Sequence, residues 1–139
     1  MFSTLDTQVI YSKYRFVMQD FLKQIIKEGG DLSKEYFDRG VTFKEKTHIA
    51  DLLTEADIAV NDFLLKKIQE TYPDHKITSE EADQIGPEDA EYEWVIDPID
   101  GTRNFAKGIP SWCVIIAVMR HGEPYLGAVY SPVANELFF

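Results

Sequence analysis

Residues 94–105 read WVIDPIDGTRNF, an apolar run of strand type that ends in two carboxylates, Asp97 and Asp100, bracketed by Pro98 and Gly101. Unpaired buried carboxylates are costly and tend to neutralise, so something near the end of this strand must stabilise negative charge. Pro98 fixes its own φ and biases Asp97 toward an extended conformation. Gly101 removes the side chain where the backbone bends or where another group approaches closely. Both carboxylates, and the carbonyl of Ile99 between them, can then converge on one point. Oxygen donors of this kind suit Mg²⁺ or Mn²⁺, whereas zinc would favour His and Cys. The three histidines, His48, His75 and His121, have no ligand spacing and read as surface or structural residues. A helix starting near Thr102 would aim free N–H groups at an anion, and an anion beside such a cation reads as phosphate.

Hydrophobic periodicity predicts a long amphipathic helix from Ser3 to Glu28, stopped by Gly29 and Gly30. The following KEYFDRGVTF reads as a hairpin turning at Asp38-Arg39-Gly40. A second helix is expected from Thr54, as N-cap, to about Thr71, where Tyr72-Pro73 ends the pattern. KITSEEA reads as a short strand that delivers Glu80 and Glu81 to a loop, and GPEDAEYE as a polar surface connection. After the strand EWVIDPID, the rest reads as two strands joined at His121-Gly122-Glu123-Pro124, a turn near Asn135 and a further strand, together an antiparallel meander.

With 139 residues, 45% of them hydrophobic and 27% charged, the chain can bury one sizeable core. Its net charge of -10, with no Lys/Arg cluster, argues against a nucleic-acid partner. Cys113 is the one cysteine; it excludes an intramolecular disulfide, reads as a small core residue and fits a reducing, cytoplasmic setting. The longest apolar run, Cys113 to Met119, is too short to span a bilayer, and the opening MFSTLDTQVI lacks a leader pattern. Neither export nor membrane anchoring is expected.

Five acidic residues, Asp57, Glu80, Glu81, Asp97 and Asp100, sit at turns or element ends. Plainer roles exist for several of them. Asp57 fits a helix-start pattern, Thr54-Glu55-Ala56-Asp57, in which it would cap backbone N–H groups, and Glu80-Glu81 alone would be solvated loop charge.

Taken together, DLLTEAD, ITSEEA and WVIDPIDGTRNF resemble, in order and spacing, the inositol monophosphatase family of Mg²⁺-dependent, lithium-sensitive sugar phosphatases. The similarity runs from about Lys44 through the meander. It implies a layered αβαβα sugar-phosphatase fold of α/β class, of which residues 1–139 would be the N-terminal part of a single domain. It implies further that Glu80, Asp97 and the Ile99 carbonyl bind a first Mg²⁺, that Asp97 bridges to a second held by Asp100, and that Asp57 helps hold a weaker one or orients water there. Glu80 and Thr102 would position and activate the attacking water. Asp100 and the N–H groups of Gly101 and Thr102 would serve substrate binding, the N–H groups by contacting its phosphate. Lys46 aligns with a family lysine near the metal site, though a solvated charge is nearly as good a reading. The implied chemistry is in-line hydrolysis of a small phosphomonoester by metal-activated water.

Two substitutions depart from the family pattern: Ser79 where glycine is frequent and Arg103 where threonine is. Arg103 could reach a second anionic group or pair with a surface acid. Family members are about twice this length, within the usual single-enzyme range. The absent half would carry a WD-type motif whose aspartate completes the second metal site, and the apolar ending Leu137-Phe138-Phe139 reads as a strand cut short. Inositol monophosphate is the leading substrate. Fructose 1,6-bisphosphate, histidinol phosphate and 3'-phosphoadenosine nucleotides stay open, as do a noncatalytic metal-binding fragment and an incomplete gene model. Homodimerisation is common in the family, but these residues do not establish it.

Overall fold

The computed structural model describes residues 4–42 and 46–139, with side-chain surroundings for 6–40 and 55–139. In chain order the elements are α1 (Thr4–Thr42), α2 (Lys46–Thr71), β1 (Lys76–Ser79), β2 (Ala82–Ile85), β3 (Tyr92–Asp100), α3 (Thr102–Ala106), β4 (Cys113–Arg120), β5 (Glu123–Ser131) and β6 (Glu136–Phe138). The strands form one sheet in the order β2-β1-β3-β4-β5-β6. β1 runs parallel to β3, and the other neighbours are antiparallel. The expected meander is therefore present as β3 to β6, on a mixed α/β framework.

Burial alternates along β3 and β4, which sends Trp94, Ile96 and Ile116 toward the helices. There they meet Met18 and Leu22 of α1 and Leu64 of α2 in one core. A second, smaller cluster gathers Phe37, Ala56, Ile99, Phe105 and Trp112, and so pins both long helices to the end of β3, to α3 and to the start of β4. Its rings pack edge-on, with Phe105 and Trp112 centroids 5.0 Å apart and Phe37 and Phe105 5.3 Å apart.

Three sequence expectations are corrected. Gly29 and Gly30 do not end the first helix, because their role is close approach. A Cβ on Gly29 would lie 3.1 Å from Leu64 Cδ2, and one on Gly30 would run into the Tyr130 ring. Glycine lets α1 press against α2 and β5 at the cost of some helix propensity.

The hairpin expected in KEYFDRGVTF is the last part of α1, as far as Thr42; residues 43–45 lie outside the described residues. Ser33, Phe37 and Gly40 are all buried at helical spacing, and Lys34 to Asp38, at 2.6 Å, supports the same turns from outside.

The second helix begins at Lys46, so Thr54 is not its N-cap and Asp57 lies well inside it. No glycine or proline interrupts residues 46–53, so the capping pattern is overridden by continuation of the helix. The additional strand β2, which pairs with β1 across the Glu80-Glu81 turn, had no clear periodic signal in ADQI.

Candidate active site

The site forms where β1 and β3 end side by side. Ser79 pairs with Ile96 in the parallel register, and the Glu80 N–H donates to the Ile96 carbonyl at 3.2 Å. The turn that carries Glu80 is thereby held against Asp97. Pro98 has no N–H to give to the ladder, and the pairing of β3 with β4 shifts between Asp97 and Asp100. A bulge of this kind re-aims side chains at a strand end.

Gly101 follows with φ 89° and ψ 36°, left-handed. A Cβ there would come within 3.1 Å of the Ser111 carbonyl oxygen, so glycine is required both for the angle and for the space. From this bend α3 starts at Thr102, and the Asn104 side-chain amide donates to the Ser111 carbonyl at 2.8 Å. Phe105 is buried in the second core cluster beneath. The Ile99 side chain is 2% exposed in that same cluster, so its apolar part anchors the bulge between the two aspartates.

Asp57 enters from α2 and is half-buried, with Oδ1 fully buried and lacking any hydrogen-bond partner among the described residues. Its carboxyl is pushed up to about 7, first by burial and then by the negative charges of Glu81, Asp97 and Glu80. Asp97 rises to about 6, again chiefly through burial, with Glu80 and Asp100 adding repulsion. On the other side of the bulge, burial and the neighbouring Asp100 push the Cys113 thiol up to about 11, which makes it a poor nucleophile. The five acidic residues singled out from the sequence are thus brought into one electrostatic neighbourhood. Thr102 and Arg103 stand exposed on α3 beside it, while the Lys46 side chain lies outside the described residues.

No three His, Cys, Asp or Glu side chains among the described residues converge into a ready-made cation cage. The donor chemistry nevertheless fits a hard divalent cation: the side chains are carboxylates, they repel one another, and one buried oxygen has no partner. Two cavities flank the bulge. One of about 380 Å³ is lined by Glu80, Asp97, Ser79 and Val95, and another of about 450 Å³ by Asp100, Gly101, Asn104, Ser111 and Trp112. Trp112 Nε1 is likewise buried without a partner.

Asn61, 4% exposed, was not singled out from the sequence. It lies one helical turn beyond Asp57 and accepts a hydrogen bond from the Ser79 hydroxyl at 2.5 Å, while Ser79 Oγ accepts from the Glu81 N–H at 3.3 Å. The four-residue spacing of Asp57 and Asn61, which puts both on one helix face, was the available signal.

Comparison with known proteins agrees with this fold. Residues 17–139 match the model of the inositol monophosphatase family. A curated relative from Haemophilus influenzae, named Nus factor SuhB, is 39% identical over 112 residues, covering 81% of this chain and 42% of the relative. An inositol-1-monophosphatase from Synechocystis is 43% identical over 95 residues, covering 68% of this chain and 33% of its own length. Among solved structures, the inositol monophosphatase from Anabaena superposes with a TM-score of 0.74 at 32% identity, over 88% of this chain and 42% of that one. The inositol monophosphatase II of Staphylococcus aureus gives 0.75 at 33%, over 87% and 44%. The chain spans less than half the length of these relatives.

Proposed function

The chain belongs to the inositol monophosphatase family, and from that premise we propose that it supplies the metal-binding half of a Mg²⁺-dependent phosphomonoesterase acting on a small substrate, inositol monophosphate first among them. The observation that carries this reading is the buried, partnerless Oδ1 of Asp57, set among Glu81, Asp97 and Glu80. Such a group is neutralised by a proton or, once ionised, by a cation.

Glu80, Asp97, the Ile99 carbonyl and Asp100 are the residues that would hold Mg²⁺, with Asp57 at its edge. Bound there, the ion would neutralise phosphate charge and lower the pKa of a water. Glu80 and Thr102 would orient that water, and the Glu80 carboxylate, which is exposed, would take its proton. The N–H groups of Gly101 and Thr102 would receive the phosphate, and the rigid bend at Gly101 fixes where they point. A structure of the Staphylococcus aureus relative with inositol monophosphate bound, similar at a TM-score of 0.71, supports the substrate class.

The remaining length of the relatives is where further ligands would come from, so weak or absent turnover is expected of these residues alone. The test is phosphate release from myo-inositol 1-phosphate with and without Mg²⁺, beside an Asp97→Asn control and the other sugar-phosphatase substrates. Release that is Mg²⁺-dependent and lost in the control supports the reading. Release that persists in the control, or without Mg²⁺, contradicts it.

A second reading, a noncatalytic factor, is favoured by the name Nus factor SuhB carried by several relatives. That name also weighs against the expectation of no nucleic-acid partner, which rests on the chain's charge alone. Mg²⁺ binding without turnover in the longer protein would select this second reading.

A further inference from the structure

At the end of β3 remote from the acidic cluster, the start of the strand faces a cavity of about 440 Å³. Tyr11 and Tyr14 of α1, Asp74 and His75 of the loop between α2 and β1, and Glu91 and Tyr92 at the head of β3 line it. Asp97 lies five residues further along the strand, roughly 16 Å away at the rise of an extended chain. The size suits a small organic molecule.

The walls are flat rings held in fixed positions. The Tyr92 ring stacks on His75 with centroids 4.9 Å apart and meets Tyr14 at 5.6 Å. His75 is locked in turn between the Trp94 indole N–H, at 2.9 Å, and the Tyr14 hydroxyl, at 3.1 Å. The Tyr92 hydroxyl, by contrast, is buried without a hydrogen-bond partner among the described residues, on a residue only 5% exposed. Native folds rarely leave such a group unmatched, and a polar group entering the cavity would match it.

The charges at the rim decide the sign of the ligand. Glu91 is bonded to Arg120 at 2.9 Å, and the Arg120 guanidinium lies over the Tyr11 ring at 4.5 Å and the Tyr92 ring at 5.6 Å. Two of the rings that line the cavity therefore already hold a cation by their faces. Asp74 is exposed, and its side chain has neither ion pair nor hydrogen bond among the described residues. On a chain of net charge -10, an anion meets repulsion here, whereas an ammonium group meets an unpaired carboxylate.

We propose that this cavity binds a small aromatic amine in its ammonium form, the ring packed against Tyr11, Tyr14 and Tyr92 and the ammonium group paired with Asp74. The inference is independent of the phosphatase reading, since no residue of the acidic cluster takes part.

Nuclear magnetic resonance of the full chain at pH 7, with 2-phenylethylamine as the probe, tests it. The two tryptophans report on opposite ends of the sheet: Trp94 is bonded to His75 beside the cavity, and Trp112 lies in the cluster beneath α3. A saturable shift of the Trp94 indole N–H signal is expected, with Trp112 unmoved and a dissociation constant of about 1 mM, as befits so small a ligand. 3-Phenylpropanoate, with the same ring and the opposite charge, and butylamine, which lacks the ring, should each bind about tenfold more weakly or worse. Asp74→Lys should weaken binding of the amine about tenfold and Tyr11→Ala about threefold. Both positions are exposed, so circular dichroism should be unchanged in either variant. No saturable shift at Trp94, equal shifts at both indoles, equal binding of 3-phenylpropanoate, or an affinity that survives Asp74→Lys overturns the proposal.

Discussion

The Ser79 hydroxyl donates to Asn61 Oδ1 at 2.5 Å, and through that bond α2 holds the turn carrying Glu80 and Glu81. The serine that departs from the family's frequent glycine thus acquires a structural role. Ser79→Ala removes the donor to a nearly buried amide and the acceptor for the Glu81 N–H. A loss of about 1–3 kcal/mol is expected, readable as a lower urea midpoint, together with weaker Mg²⁺ binding. Asn61→Ala should lower both in the same direction.

Gly101 stands in the left-handed region with the Ser111 carbonyl close by. Gly101→Ala therefore meets backbone strain of about 1–2 kcal/mol plus a tight contact, and should lower the denaturation midpoint. Gly122→Ala shares the positive φ, but nothing lies within 4 Å of its Cβ, so it should cost less. Equal losses in the two variants would remove the argument from close approach.

The acidic cluster makes stability without Mg²⁺ depend on pH in a definite sense. Asp57 and Asp97 have carboxyls raised from 3.8 to about 7 and about 6, so between those values the folded chain binds more protons than the unfolded one. Their contribution is present below pH 3.8 and is lost as pH rises through the folded values. Mg²⁺ held by these carboxylates would compete with those protons. Thermal melts should accordingly show a larger Mg²⁺-induced rise at pH 8 than at pH 5. Asp57→Asn should raise the melting temperature at pH 8 without Mg²⁺ and blunt the response to the ion.

His75 gives the opposite sign. Trp94 Nε1–H donates to its Nδ1 at 2.9 Å, so the neutral ring carries its proton on Nε2, which lies 3.1 Å from the Tyr14 hydroxyl. Protonating Nδ1 would break the Trp94 bond. Burial lowers the His75 pKa below 6.5 against the opposing pull of Asp74 and Glu91. Stability from this group is whole above pH 6.5 and is lost as pH falls from there through the folded value. Melts of the wild type beside Trp94→Phe should reveal it as a steeper acid-side decline in the wild type.

Much of the sheet could be read from the chain because alternation in EWVIDPID and in the meander is a local signal, and the carboxylates at its end announced themselves by their cost. What could not be read is what long-range packing decides. Gly29 and Gly30 look like a helix stop until Leu64 and Tyr130 are seen beside them. Tyr36 and Phe37 look like strand residues until Phe105 and Trp112 take up Phe37. Asn61 shares a helix face with Asp57 four residues earlier, but that spacing acquires meaning only when Ser79 arrives across the fold.

We propose that these carboxylates form a divalent-cation site organised on Asp97. Isothermal titration of Mg²⁺ into the chain at pH 8, beside Asp97→Asn, tests it most directly. Saturable binding in the wild type that disappears in the variant is the predicted result. Binding that is absent in both, or undiminished in Asp97→Asn, would contradict it.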